Sequence, residues 1–289
     1  MPELPEVETT VRGLRRKILN RIFFVFWTDS PKMIKRPNSL KKFQKEIQGK
    51  KIKDIYHRGK NIIFQLSENK TLLIHQKISG HLLFGKWEKS GKSWQASSGP
   101  LSDRVNSFIH IIFIFDNGKM MALSDPRKFA KVELWNTDEF LKSDFMQKIG
   151  PEPLDNSFTF DNLKKILLNK KGKIKQVLMD QNVIAGIGNI YSDEILFKAK
   201  VNPLRRSNEL QDGELRKIYS ATKAILKRAI ELKGDSFSDY RTITGEKGEF
   251  QNSNKVYQRD GQKCFVCKAI IQKVKIGGRT AHYCPHCQK

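Results

Sequence analysis

Cysteine is scarce in this sequence and is confined to one end of the chain. Only four of the 289 residues are cysteines, and all of them lie between residues 264 and 287. A small secreted fold held by disulfides needs cysteines throughout its length. This distribution therefore argues against a disulfide framework and favours a metal site in a reducing compartment.

Long apolar runs and acidic residues are also in short supply. No run of about 18 apolar residues could span a membrane, and residues 1–30 lack the cleavage site of a signal peptide. We therefore expect a soluble, cytoplasmic protein with no membrane partner. Lys and Arg number 54 against 30 Asp and Glu, which gives a formal net charge of +24. Such a charge favours nucleic acid as the partner, and a structural RNA-associated protein would satisfy it as well as an enzyme would.

The first eight residues carry the most informative chemistry. Initiator methionine is usually removed before proline, which would leave Pro2 with a terminal secondary amine. An α-amino group has a pKa near ~8, so part of it is nucleophilic at neutral pH. Attack on a sugar carbon would give a covalent iminium, and Glu3 and Glu6 could serve as acids or bases beside it. Alternatively, Pro2 only affects processing and Pro5 merely begins a helix.

Periodicity predicts a β-rich first half and a helical second half. Helix formation is expected from Pro5 onward, with an apolar stripe of Val7, Val11, Leu14 and Ile18. Short strand-like runs follow it, and Asp116-Asn117-Gly118 between two of them is a tight-hairpin signal. Residues 88–107 are expected to form a mobile polar connection. The predicted strands are 22–27, 52–56, 61–66, 71–76, 81–87, 108–115, 119–124 and 131–135, and the predicted helices of the second half are 160–168, 174–179, 190–198 and 209–232.

The four cysteines form two C-x-x-C pairs separated by a segment with a Gly277-Gly278 turn. Each pair can bind one side of a tetrahedral zinc ion, so Cys264, Cys267, Cys284 and Cys287 are predicted to hold one structural Zn²⁺. Four protein thiolates leave no open position on the metal, which excludes a catalytic role. His282 and His286 are interpreted as bystanders.

The start MPELPEVETTVRGL resembles the formamidopyrimidine-DNA glycosylases, and IKQVLMDQNVIAGIGNIYSDEILFKAKVNP (174–203) resembles the helix–two-turn–helix of the same superfamily. The Gly186-Ile187-Gly188 turn is no dinucleotide fingerprint, because the preceding strand and the third glycine are missing. The resemblance implies an α+β protein of two domains, with an N-terminal helix and β-sandwich and a C-terminal helical domain with a zinc finger. The implied ranges are 1–136 for the catalytic sandwich, 137–155 for the linker, 156–233 for the helical domain (helix–two-turn–helix at about 174–199), 234–258 for the lesion-loop region and 259–289 for the zinc finger.

The resemblance also implies roles for individual residues. Pro2 would form the Schiff base, Glu3 would be the general acid, Glu6 would support them, and Lys60 in an R-G-K turn would help to position the phosphate and the damaged nucleotide. As a lone residue in a basic chain, Lys60 would be read as a solvated loop lysine.

Further implied residues contact DNA. Arg127 and Phe129 in a D-P-R-x-F loop would fill the gap left by an everted base, together with Ile78, which stands where the family usually has methionine. From sequence alone this loop is a turn with a surface Arg127 and a buried Phe129. Asn189, placed where it could cap a helix, and Arg279 beside the double glycine would bind phosphates.

The implied function is a bifunctional DNA glycosylase and abasic-site lyase that removes oxidised purines from damaged double-stranded DNA and acts as a monomer. Residues 234–258 and the PELPE start favour this branch over endonuclease VIII-type enzymes, which prefer oxidised pyrimidines. A non-catalytic DNA-binding descendant is the alternative of another class. It would bind duplex DNA with a steep salt dependence and form no covalent adduct.

Overall fold

The structure, a computed structural model, describes residues 1–91, 93–96 and 98–289. They form two compact units, and each unit combines two stretches of chain. The segment that follows the last long helix therefore returns to the first unit before the chain re-enters the second. The first unit comprises Met1–Gln147 and Leu232–Gln251, and the second comprises Lys148–Glu231 and Asn252–Lys289.

The first unit begins with helix α1 (Leu4–Ile18). Glu3 is its N-cap residue, and the Glu3 backbone N–H donates to the Glu6 carboxylate at 2.7 Å, which satisfies one donor that a helix start leaves unpaired. The predicted stripe is buried in the core, and each such aliphatic side chain contributes roughly 1.5–3 kcal/mol. Its members are Val7, Val11, Leu14 and Ile18.

Two sheets pack around one apolar core that also includes the stripe of α1. One sheet has the strand order β1-β9-β10-β6, and the other has the order β2-β11-β5-β4-β3. This is the predicted β-sandwich. The strands are β1 (Phe23–Thr28), β2 (Ile34–Arg36), β3 (Ile52–Arg58), β4 (Asn61–Leu66), β5 (Lys70–His75), β6 (His81–Gly85), β7 (Glu88–Ser90), β8 (Ser93–Gln95), β9 (Ile109–Phe115), β10 (Met120–Ser124) and β11 (Lys131–Asn136).

The predicted hairpin at Asn117-Gly118 is confirmed, since β9 and β10 pair antiparallel across it. Some elements were not predicted. Strand β2 and helix α2 (Leu40–Ile47) are short, so each offers few residues in which a periodic pattern could be recognised. The segment 88–107, predicted to be a mobile polar connection, contains the β7–β8 hairpin. Lys92 and Ser97 belong to this segment and lie outside the described residues. Helices α3 (Thr137–Leu141) and α4 (Asp144–Lys148) occupy part of the predicted linker.

The second unit is helical apart from a terminal hairpin, as predicted. Helix α8 begins at Asp212 rather than at residue 209, because residues Ser207–Glu209 form a 3₁₀ turn. No helix within the described ranges is long and apolar enough to cross a bilayer. The elements are α5 (Phe160–Leu168), α6 (Ile174–Met179), α7 (Asn189–Ala199), α8 (Asp212–Glu231), β12 (Gln272–Ile276) and β13 (Arg279–Tyr283).

Candidate active site and metal centre

The amino-terminal segment of the first unit gathers three of the predicted site residues. Pro2 is buried beneath the exposed Met1, and the side chains of Glu3 and Glu6 are also buried. The Glu6 carboxylate accepts from two backbone donors, the N–H of Glu3 at 2.7 Å and the N–H of Asp235 at 2.7 Å. Glu6 is therefore fixed in place, and it ties the residue that follows Pro2 to a distant part of the chain.

The segment around Asp235 contacts α1, and this contact was not predicted from the sequence. The Tyr240 hydroxyl donates to the Glu6 backbone carbonyl at 3.3 Å, and burial raises the Tyr240 pKa. Gly234 has a φ of +82°, and a Cβ there would lie 2.6 Å from the Glu6 carboxylate. Glycine is thus required for this close approach. No local pattern signals the contact, because more than two hundred residues separate its members.

Lys60 lies in the tight turn between β3 and β4 and is only 6% exposed. The interpretation of Lys60 as an ordinary solvated loop lysine is therefore wrong. His75 ends the neighbouring strand, and its pKa is lowered to about 3, first by removal of the ring from water and then by the charges of Lys77, Lys131 and Lys60. The charges of three ammonium groups thus act on a neutral imidazole, which makes this end of the sheet attractive to an anion.

The loop after β10 is shaped by one buried carboxylate. Asp125 accepts from the Ser79 hydroxyl at 2.5 Å and from the backbone N–H of Ala130 at 2.8 Å. These bonds leave Arg127 exposed and Phe129 56% exposed. The expectation of a buried Phe129 from the turn alone is wrong, because Asp125 holds the loop chain in a conformation that turns the ring outward.

Ile78 lies in the loop that Ser79 joins to Asp125, and its side chain is 42% exposed. The two loops that carry the predicted gap-filling residues are therefore linked by a hydrogen bond. Gln76, at the base of the Ile78 loop, is buried, and its side-chain amide has no hydrogen-bond partner among the described residues. This polar group at a core position was not singled out from the sequence.

In the second unit, Asn189 and Arg279 line one cavity of about 610 Å³. Lys273 and Lys275 of the terminal hairpin also line it, and together with Arg279 they outnumber Asp260, the carboxylate of the lining, so its wall is cationic. The prediction that Asn189 could cap α7 is wrong. Gly188 adopts the extended cap conformation, and Asn189 is the first helical residue. The Asn189 side-chain oxygen is buried and has no partner within the part of the chain that the structure describes.

The metal centre lies at the end of the same unit. The four Sγ atoms lie within 4.8 Å of one another, with Cys267 and Cys284 at 3.4 Å and Cys264 and Cys287 at 4.0 Å. A tetrahedral ion with Zn–S distances near ~2.3 Å needs such spacings. The residues therefore fit a four-thiolate metal site. His282 and His286 are not among the grouped ligands of the described residues.

The hairpin between the cysteine pairs is also as predicted. Strands β12 and β13 pair antiparallel, and Gly277 and Gly278 both have positive φ angles, as a two-residue hairpin turn requires. Arg279 begins β13 directly after this turn and is exposed.

Family comparisons cover nearly the whole chain. Residues 1–132 match the formamidopyrimidine-DNA glycosylase N-terminal domain, residues 149–241 match the formamidopyrimidine-DNA glycosylase H2TH domain, and residues 261–289 match the zinc finger found in FPG and IleRS. The four-cysteine site is thus a zinc-finger metal site.

Individual relatives are similar to this chain over their full length. The formamidopyrimidine-DNA glycosylase of Streptococcus pneumoniae is 36% identical over 289 residues, which cover 100% of this chain and 99% of the relative. A MutM complex with DNA containing carbocyclic 8-oxo-G superposes with a TM-score of 0.86 at 33% identity and covers 100% of both chains. A complex of the Lactococcus lactis Fpg with DNA containing Fapy-dG has a TM-score of 0.85 at 33% identity and covers 99% of this chain and 100% of that one. On these grounds the chain belongs to the formamidopyrimidine-DNA glycosylase family.

Proposed function

We propose that this protein is a bifunctional DNA glycosylase and abasic-site lyase of base excision repair that removes oxidised purines, 8-oxoguanine and formamidopyrimidines, from duplex DNA. The observation that carries the proposal is the amino-terminal segment, in which Pro2 directly precedes the buried Glu3 and the hydrogen-bonded Glu6. Full-length similarity to enzymes bound to Fapy-dG and 8-oxo-G DNA supports the substrate class.

The chemistry begins with removal of Met1, which leaves the secondary amine of Pro2 at the chain terminus. The amine attacks the sugar carbon C1′, the glycosidic bond breaks, and the damaged base leaves with the bonding electrons and takes up a proton. Glu3 then protonates the ring oxygen, the sugar opens, and the nitrogen and C1′ form an iminium. A base removes a C2′ proton, the C–H electron pair flows into the iminium, and the resulting enamine expels the 3′ phosphate. Loss of the C4′ proton then expels the 5′ phosphate, and water hydrolyses the iminium to free the amine.

Glu6 and Lys60 have supporting roles in this scheme. Glu6 accepts from the backbone N–H of Glu3, so it fixes the residue that carries the acid relative to α1. Lys60 is buried near Lys77 and Lys131, beside a neutral His75, and this cationic cluster would hold the phosphate of the everted nucleotide. Loss of one side chain that positions a reacting group can cost a hundred-fold in rate.

Eversion of a base leaves a gap whose cost is a few kcal/mol of lost stacking. Phe129, with its ring exposed, would wedge between the neighbouring bases, while Arg127 would donate to the orphaned partner base and Ile78 would fill the gap. Isoleucine is branched and stiffer than methionine, so it would accept fewer shapes of gap. The Asp125–Ser79 hydrogen bond would hold these two loops together.

In the second unit, Asn189 and Arg279 would bind phosphates of the damaged strand, assisted by the cationic cavity wall that they share. Cys264, Cys267, Cys284 and Cys287 would hold one structural Zn²⁺ per chain. The ion, when bound, fixes the two C-x-x-C turns relative to each other and offers no free coordination position for substrate.

Borohydride trapping tests the proposal. The protein is incubated with duplexes that contain 8-oxoguanine, thymine glycol or no lesion, and borohydride reduces any imine to a stable adduct. We expect fast trapping and base release with 8-oxoguanine and much slower trapping with thymine glycol. The reverse order would indicate an endonuclease VIII-type specificity. Binding without any adduct would identify a non-catalytic DNA-binding protein.

A further inference from the structure

Three ionisable side chains are buried together in the second unit. Lys175 lies on α6, Asp193 lies on α7, and His282 lies on β13. The side chains of Lys175 and Asp193 have no solvent exposure, and that of His282 is 7% exposed. Charged groups are seldom buried so completely unless they are paired, which they are here.

One carboxylate joins the three elements. The Lys175 ammonium donates to Oδ1 of Asp193 at 2.5 Å. The other oxygen, Oδ2, accepts from the backbone N–H of His282 at 2.9 Å and contacts the Nδ1 atom of its ring at 3.0 Å. Strand β13 is therefore fixed to α7 through both the backbone and the side chain of His282. These bonds set the position of the strand along the helix axis.

The same ammonium group reaches the first turn of α7. Lys175 Nζ donates to the backbone carbonyl of Asn189 at 3.3 Å and to the Ser192 hydroxyl at 3.2 Å. It thus fixes the backbone of the residue whose buried side-chain oxygen has no partner among the described residues. Asn189 on α7 and Arg279 and His282 on β13 all line the cationic cavity. The ion pair therefore connects the two elements that contribute these residues.

Stability alone does not explain this ion pair. Replacing a buried ion pair by apolar side chains of similar volume is often neutral or stabilising, because desolvation of the charges offsets their attraction. The segment that precedes the hairpin is anchored to α7 separately, since the Glu194 carboxylate accepts from the backbone N–H groups of Lys255, Val256 and Tyr257 at 2.9–3.0 Å. What the Lys175–Asp193 pair adds is a fixed separation between Asn189 and the strand of Arg279.

We propose that Lys175 and Asp193 are positioning residues, which hold Asn189 and Arg279 at the separation needed to bind neighbouring phosphates of one DNA strand. This inference rests on the proposed function of Asn189 and Arg279 as phosphate ligands. It adds that the spacing of these ligands is set by a buried ion pair that touches no DNA.

The test is a charge-neutral double variant, Lys175→Met with Asp193→Leu, which keeps an apolar interior but removes every hydrogen bond from this pair. Removal of one partner alone would leave an unpaired buried charge and is expected to unfold the unit. The matched control is Lys164→Met with Asp212→Asn, which removes an exposed ion pair of the same unit at 2.7 Å. Zinc content and the thermal unfolding midpoint establish that each variant is folded.

DNA binding is measured as a function of salt concentration with a duplex that carries a reduced abasic site. We expect the buried-pair variant to bind about ten-fold more weakly at physiological salt, with a salt slope lower by about one, the loss of roughly one phosphate contact. The rate of base release at saturating DNA should stay near the wild-type value, and the control pair should change neither quantity. A purely structural role would lower stability or turnover and leave the salt slope unchanged.

A variant cycle with Arg279→Ala separates this inference from the proposed function. If the ion pair acts through Arg279, the double variant should cost little further affinity in the Arg279→Ala background. Full additivity, or wild-type binding by the double variant, overturns the inference while the phosphate role of Arg279 stands. Wild-type binding by both Arg279→Ala and Asn189→Ala overturns the proposed phosphate ligands, and the inference with them.

Discussion

The proposed chemistry of the first unit comes from residues that are neighbours in sequence, whereas the cleft of the second unit is assembled from distant ones. Pro2, Glu3 and Glu6 are brought together by the first turn of one helix, through a hydrogen bond between residues three positions apart. Asn189 and Arg279 belong to different elements and line the same cavity. A local motif can specify a nucleophile and its acid, but a binding cleft requires buried groups that fix one element against another.

The largest effect is expected at Glu3, in the first unit, where the proposed chemistry comes from residues that are neighbours in sequence. Glu3→Gln keeps the shape of the side chain but removes the acid, so the rate of base excision should fall about a thousand-fold, within the range for loss of a general acid. Single-turnover excision from 8-oxoguanine DNA measures this rate. Glu8→Gln on the same helix is the matched control and should stay within a few-fold of wild type. Equal effects of the two variants would contradict the assignment of Glu3.

Removal of the metal tests the second unit, whose cavity is assembled from residues that are distant in sequence. Stripping the protein of zinc with a chelator should weaken duplex binding by about 10–100-fold, because structural zinc supplies folding energy to the segment that carries Arg279. Fluorescence anisotropy with a lesion duplex reports the affinity, and a metal indicator reports the released ion. Addition of zinc should restore binding. If the metal-free protein binds with unchanged affinity, the hairpin does not depend on the ion.

A smaller effect is expected at the gap-filling loops. Phe129→Ala should slow excision from duplex DNA by about ten-fold, because part of the unstacking cost is no longer offset. Its stability should change by no more than about 0.5 kcal/mol, since the ring is exposed. Phe24→Ala removes a similarly exposed ring from β1 and is the control. Similar slowing by both variants would argue against the wedge.

The smallest effect concerns His75 and acid stability. Its pKa is lowered from 6.5 to about 3 in the folded chain, so below pH 6.5 the unfolded chain binds a proton that the folded chain does not. This contribution to the free energy of unfolding is complete above pH 6.5 and is lost as the pH falls from there toward 3, about 1–2 kcal/mol by pH 5. Urea unfolding at pH 7.5 and 5 should show it, and His75→Gln should show less of it. Equal pH dependence in both proteins would contradict the neutral His75 imidazole.

Much of the fold could be predicted because the apolar patterns are strong. The predicted ranges 61–66, 160–168 and 174–179 coincide with the observed elements, and the Asn117-Gly118 and Gly277-Gly278 turns form the expected hairpins. These segments carry their own signals, namely alternation, helical periodicity and residues that accept positive φ. Strand β2 carries no such signal, since its pairing partner β11 lies elsewhere in the chain, and helices α3 and α4 are too short to show a helical period.

The candidate sites were predictable to the extent that they are local. The four cysteines were grouped correctly by spacing alone. The buried state of Lys60, the exposed ring of Phe129 and the contact of Asp235 with Glu6 all depend on tertiary packing, which a linear pattern does not contain. The Lys175–Asp193 pair was missed for the same reason, because a lysine on a short helix is usually solvated and nothing in the sequence around Lys175 shows that it is buried.

The central claim, that the amino group of Pro2 is the nucleophile, is tested most directly by locating the trapped DNA. The borohydride-reduced adduct with an 8-oxoguanine duplex is digested with protease, and the DNA-linked peptide is sequenced by mass spectrometry. We predict a peptide that begins at Pro2, lacks Met1 and carries the sugar on its terminal nitrogen. An adduct on any lysine, or active protein that retains Met1, would contradict the account.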